Sequence, residues 1–200
     1  MVLIGITGSP ASGKSAFAKM LKSKAKGIKI LEINDVAKRY KAYSGKDKDG
    51  TIIANMKRLN SAIRHELKVN SRDNVAIVGH MVQELSISPD ICITVRAKPL
   101  ILYKRQKARG YSLKKIKENI ISEALDYCGE GASRLCKNSF EVETLREKRS
   151  MAKYIAASIG KRANRVGKNA RLPGSINALR KKKDMMVLFL RFIKKNNIGF

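Results

Sequence analysis

Gly8-Ser9-Pro10-Ala11-Ser12-Gly13-Lys14-Ser15 sets a lysine and a hydroxyl directly behind a glycine-rich turn, with four residues between the first glycine and the last. The spacing has a mechanical cause. Successive backbone N–H groups must converge on one concavity, and bulky side chains at the glycines would block the approach of an anion. Lys14 then adds a point charge for the β and γ phosphates of a nucleoside triphosphate, and Ser15 offers a hydroxyl to Mg2+. A helix that begins here brings its positive end to the same place. Arg105 and Arg109 stand four residues apart, one helical turn, just before Gly110. They could face one phosphate group, as charge stabilisation in phosphoryl transfer requires; a solvated basic helix face is the alternative.

These groups need elements to hold them. Val2–Ile6 reads as a short buried strand before the turn, and a helix follows over about Lys14–Lys24. Residues 28–33 form a second strand. Met56, Leu59, Ile63 and Leu67 mark one face of a helix. Val75–Val78 and Ile91–Val95 are further strands, and Lys98–Ala108 is a basic helix stopped at Gly110. Leu113, Ile116, Ile120, Ala124 and Tyr127 stripe the next helix, with Ser112 as its N-cap. Phe140–Thr144 is a fifth strand and Arg146–Ile159 a closing helix. Strands alternating with helices predict an α/β, P-loop fold over residues 1–160: a five-stranded parallel sheet flanked by helices. Residues 161–200 hold twelve Lys or Arg against one acid, Asp184, and read as a basic tail ending in a short apolar helix. The apolar run from Met185 to Ile193 is too short to span a membrane.

Composition narrows the setting. Two hundred residues suit one domain with a short appendage. Forty-three Lys and Arg against sixteen Asp and Glu leave a net charge of +27. A field of that sign attracts polyanions, nucleic acid among them, although a lysine bias without a partner gives the same number. Few aromatics and no RNA-binding motif argue against a simple base-stacking platform. Cys92, Cys128 and Cys136 have neither an even count nor metal-type spacing, and no leader precedes the first strand; reduced thiols in a cytoplasmic protein are expected.

The P-loop with Pro10, the Asn34-Asp35-Val36-Ala37 turn, Val78-Gly79-His80, Val95-Arg96, Leu102-Tyr103-Lys104-Arg105 and Arg109-Gly110-Tyr111-Ser112 together resemble one family. It is the adenylate-kinase-like NTPases of archaea and eukaryotes that assist maturation of the small ribosomal subunit. Lys114–Ile120 and Glu123-Ala124-Leu125-Asp126 are similar too, so the resemblance covers about residues 1–160. It implies a nucleoside-monophosphate-kinase-like fold with NMP-binding and lid segments, and ATPase activity beside the kinase reaction. ATP with Mg2+ would be held by Ala11, Gly13, Lys14, Ser15 and Ala16, with Arg109 reaching the phosphates from a lid over about 108–118. The acceptor, AMP, would lie over about 33–56, with Asp35, Lys38, Arg39 and Arg96 as its contacts. Lys14, Arg105, Arg109 and His80 are the catalytic candidates, His80 by placing water or metal. A platform protein of the small subunit and pre-ribosomal RNA are the implied partners. The chain departs from the family pattern at Ala11, where glycine is usual, at Lys38, where arginine is common, and at Val78, where the family often has an acid.

Overall fold

A computed structural model describes residues 1–25, 27–46 and 52–160; the expected basic tail and its short helix lie outside the described residues. The element order is β1 (Leu3–Thr7), α1 (Lys14–Lys24), β2 (Ile28–Glu32), α2 (Ile33–Arg39), β3 (Tyr43–Lys46), β4 (Ile52–Ala54), α3 (Met56–Val69), β5 (Asn74–Val78), β6 (Ile91–Val95), α4 (Pro99–Ala108), α5 (Leu113–Ala124), α6 (Tyr127–Leu135), β7 (Ser139–Val142) and α7 (Leu145–Gly160). Five strands form one parallel sheet in the order β2-β5-β1-β6-β7. Every residue of β1 and β6 is buried, as strands covered on both faces must be.

The two faces carry separate cores. Ile4, Ile6, Ala76, Val78, Ile91 and Ile93 pack with Phe17, Ala18 and Leu21 of α1 and with Met151 and Ile155 of α7. Leu3, Leu31, Val75 and Ile77 face the other way, onto Val36 of α2 and Leu59 and Ile63 of α3. Strand order reverses direction at β1, and sheets of this kind bind ligands at such a point, beyond the carboxyl ends of the strands.

Three expectations need correction. Asn34–Ala37 is not a turn but part of α2, which begins at Ile33, the residue expected to end the second strand. The helix from Leu113 stops at Ala124, so Tyr127 belongs to α6. Asp126 causes the break: it sits at φ 61 with its carboxylate drawn inward to Arg96. Sequence propensity hides α6, because Gly129 and Gly131 are poor helix formers. Packing requires them. A Cβ at Gly129 would stand 2.2 Å from Asp126 Oδ1, and one at Gly131 would stand 2.5 Å from Gln83 Cγ. The antiparallel pair β3–β4, within the expected NMP-binding segment, was also not foreseen.

Candidate active site

Side chains hold the carbonyls of the loop between β1 and α1. Lys14 Nζ donates to the carbonyl oxygens of Gly8 (2.8 Å) and Ser9 (2.9 Å). Gln106 Nε2 of α4 donates to Pro10 O at 3.0 Å, and Arg105 Nη1 to Ala11 O at 3.1 Å and Ser12 O at 3.4 Å. Five consecutive carbonyls are thus held by side chains. Gly8 has no alternative residue: its φ is 138°, and a Cβ there would meet Val95 O at 2.3 Å. Gly13, at φ 107°, is the N-cap of α1. Ala11 sits at φ 66°. The position where this chain departs from glycine is a left-handed one, which costs an alanine on the order of 1 kcal/mol.

A second layer supports the first. Asn119 Nδ2 of α5 donates to Gln106 Oε1 at 2.8 Å, and Ser9 Oγ donates to Glu123 Oε2 at 2.5 Å. Glu123 is buried, and burial pushes its carboxyl pKa up against the pull of Arg96, the Ser9 hydroxyl and the Ala97 N–H. Arg96 Nε lies 2.9 Å from Glu123 Oε1, and its Nη1 pairs with Asp126. The sequence places Arg96 among the contacts of the acceptor nucleotide. It is instead 5% exposed, with its guanidinium spent on buried carboxylates. Arg39, also expected at the acceptor, donates to Glu66 Oε1 of α3 at 2.5 Å. Asp35 and Lys38 lie exposed on α2.

Positive charge gathers at the mouth of the loop. Arg105 Nη1 and Lys148 Nζ of α7 each stand 3.8 Å from where a Cβ on Gly13 would be. Burial, then Arg105, lowers the pKa of Lys148. Burial likewise lowers Lys14 from 10.5 to about 8; Cys128, Glu123 and Glu32 pull it back up and Arg109 adds to the fall. His80 keeps solvent access at the rim. Protein atoms packed round its ring, then Lys14 and Lys115, nevertheless hold its pKa down to about 4, so the imidazole is neutral at pH 7. Cys128 Sγ lies 3.9 Å from His80 O, and burial pushes its thiol pKa up. All three cysteines are free.

Arg105 thus lies on Ala11 O and Ser12 O of the loop, and Lys14 feels Arg109 and acts on His80, whereas Arg96 is buried against Glu123 and Asp126. Gln106, Asn119, Glu123, Lys115 and Lys148 escaped the sequence reading. The stretch 108–118 comprises the end of α4, a turn with Gly110 at φ 75°, and the first turns of α5, where Ser112 Oγ accepts from Lys115 N.

The residues fit a triphosphate. Lysine, loop amides and a helix N-terminus converge, and Ser12 Oγ is buried beside Gly8 without a hydrogen-bond partner among the described residues. No cluster of three or more His, Cys, Asp or Glu able to hold a metal occurs among the described residues. The donor set suits Mg2+ carried by the nucleotide, which keeps most of its waters. No helix among the described residues is long and apolar enough to cross a membrane.

A family model described as AAA domain matches residues 4–126. A protein of Methanosarcina mazei named "Putative adenylate kinase" is 36% identical over 158 residues, covering 72% of this chain and 79% of that protein. A Methanocaldococcus jannaschii protein of the same name is 33% identical over 145 residues, 70% of this chain and 76% of that protein. The structure of TT1252 from Thermus thermophilus superposes with a TM-score of 0.52 at 19% identity, over 80% of this chain and 97% of that one, a likeness of fold alone.

Proposed function

This chain belongs to the AAA domain family of P-loop proteins and is a relative of those archaeal proteins, and from that premise we propose that it is a nucleoside-monophosphate kinase, transferring the γ-phosphoryl of ATP to AMP to give two ADP. The observation that carries the reading is the phosphate loop, with five consecutive carbonyls held by Lys14, Gln106 and Arg105, and with Arg105 and Lys148 both beside Gly13. Lys14 binds the β and γ phosphates. Arg109 reaches the transferring group from the turn before α5, and its charge is close enough to act on Lys14. Mg2+ would neutralise charge between the β and γ phosphates, with Ser15 as its protein oxygen. The neutral imidazole of His80 can accept a hydrogen bond at the cleft rim without adding charge. Closure of the 108–118 segment would keep water from competing with the acceptor.

The test is phosphoryl transfer from ATP to each nucleoside monophosphate, with hydrolysis followed in parallel and Lys14→Ala as the blank. Rapid ADP formation from AMP alone, abolished in the variant, is expected. Turnover that survives Lys14→Ala sinks the P-loop mechanism.

A second reading rests on the net charge of +27 and on the resemblance to small-subunit maturation factors. Here the chain is a nucleotide-gated assembly factor that hydrolyses ATP slowly beside pre-ribosomal RNA and a platform protein. Affinity for RNA should then fall steeply with salt as counterions are released, and ATP turnover should ignore monophosphates.

A further inference from the structure

Val78 and Glu32 are cross-strand partners at the carboxyl ends of neighbouring parallel strands, β5 and β2. They also point to the same face. Val78 packs in the core that contains Phe17 and Ala18 of α1, and Ile28 and Ile30, which alternate with Glu32 along β2, belong to that core as well. α1 opens with Lys14 and Ser15, the residues that the nucleotide-binding reading sets against the phosphates and their metal. One strand over from a fully buried valine, on the side of the P-loop helix, stands a half-buried carboxylate.

Two further observations say what that carboxylate is not doing. Glu32 is the N-cap residue of α2, a place where a side-chain oxygen commonly takes a backbone N–H, yet its side chain makes no capping hydrogen bond. Its charge instead reaches into the cleft, where it acts on Lys14. Mg2+ is held in such sites by one or two carboxylates, the nucleotide phosphates and water, and β5 supplies no acid at Val78.

We propose that Glu32 is the carboxylate that receives the hydrated Mg2+ of the bound nucleotide, supplying from β2 what β5 lacks at Val78. The assignment rests on the nucleotide-binding reading above, but its test separates the two. Calorimetry would follow ATP binding to the full chain in Mg2+ and in EDTA, for the native protein, Glu32→Gln, and Glu32→Gln with Val78→Asp. Thermal unfolding would check that each variant is folded. In the native protein Mg2+ should tighten binding at least about tenfold, or 1.4 kcal/mol. Glu32→Gln should lose most of that enhancement while its affinity in EDTA holds or improves. Val78→Asp in the same chain should restore part of it. Mn2+ in place of Mg2+ gives a direct signal, since the paramagnetic resonance of the bound ternary complex should weaken in Glu32→Gln. Full metal enhancement in folded Glu32→Gln overturns the assignment, as does a native protein whose affinity ignores Mg2+. A native protein that binds no ATP in either medium overturns the kinase reading instead.

Discussion

Lys14 Nζ donates to the Gly8 carbonyl oxygen at 2.8 Å, so the lysine lies folded back over the loop it belongs to. Its pKa, lowered from 10.5 to about 8 chiefly by burial, makes the site pH-sensitive in a definite direction. Between those values the unfolded chain keeps a proton that the folded protein has released. Stability of the empty protein therefore rises with pH across that window.

A triphosphate has the opposite preference, because it favours the ammonium. ATP affinity should be level to about pH 7.5 and then fall about tenfold per pH unit above pH 8.5, with one proton taken up on binding. Calorimetry in buffers of different ionisation enthalpy measures that proton. Lys14→Met should bind weakly at every pH, without the trend. An affinity unchanged from pH 7 to 10 in the native chain would mean that Lys14 does not meet the phosphates.

Ala11→Gly should stabilise the empty protein. Alanine at φ 66° is strained, and relief of about 1 kcal/mol, reduced by the extra freedom of glycine when unfolded, should raise the melting temperature by about 1–3 °C. A lower melting temperature would indicate that the alanine methyl contributes packing that exceeds the strain.

Gln106 and Asn119 pass support from α5 to Pro10 O. Gln106→Leu takes a hydrogen bond from the half-buried Pro10 carbonyl and from the buried Asn119 amide, at about 1–3 kcal/mol. Gln106→Leu with Asn119→Leu should recover much of that stability while the Pro10 carbonyl stays unheld. The double variant should therefore show a KM for ATP raised about tenfold with little change in kcat. An unchanged KM would make the pair a matter of core packing alone.

Arg96→Met strands the carboxylates of Glu123 and Asp126 inside the protein. Such losses run to about 3–5 kcal/mol, measurable by denaturant unfolding. In the folded fraction AMP affinity should stay native, because the Arg96 guanidinium is buried and paired with Glu123 and Asp126. A selective loss of AMP binding with native stability would return Arg96 to the acceptor site.

Local rules made much of the site legible. The P-loop is contiguous, so its residues reach one place by covalent connection, and the buried runs at Val75–Val78 and Ile91–Val95 carry their own pattern. The parallel α/β order followed from alternation alone. Arg96 and Arg105 show where that legibility ends. Both are arginines near basic stretches, and spacing treats them alike. Folding sends Arg96 inward to acids that lie 27 and 30 residues further on, and lays Arg105 on carbonyls more than ninety residues earlier. α6 was hidden for the same kind of reason, since Gly129 and Gly131 are set by what packs against them.

The sequence by itself determined the P-loop and the fold class, because both depend on neighbours along the chain: a strand, a glycine turn and a helix N-terminus in succession. Only the tertiary structure decided which charges face the cleft and which cancel inside the core. A charge is defined by what surrounds it in three dimensions, and Glu32 beside Val78 is a relation between strands that 46 positions of chain keep apart.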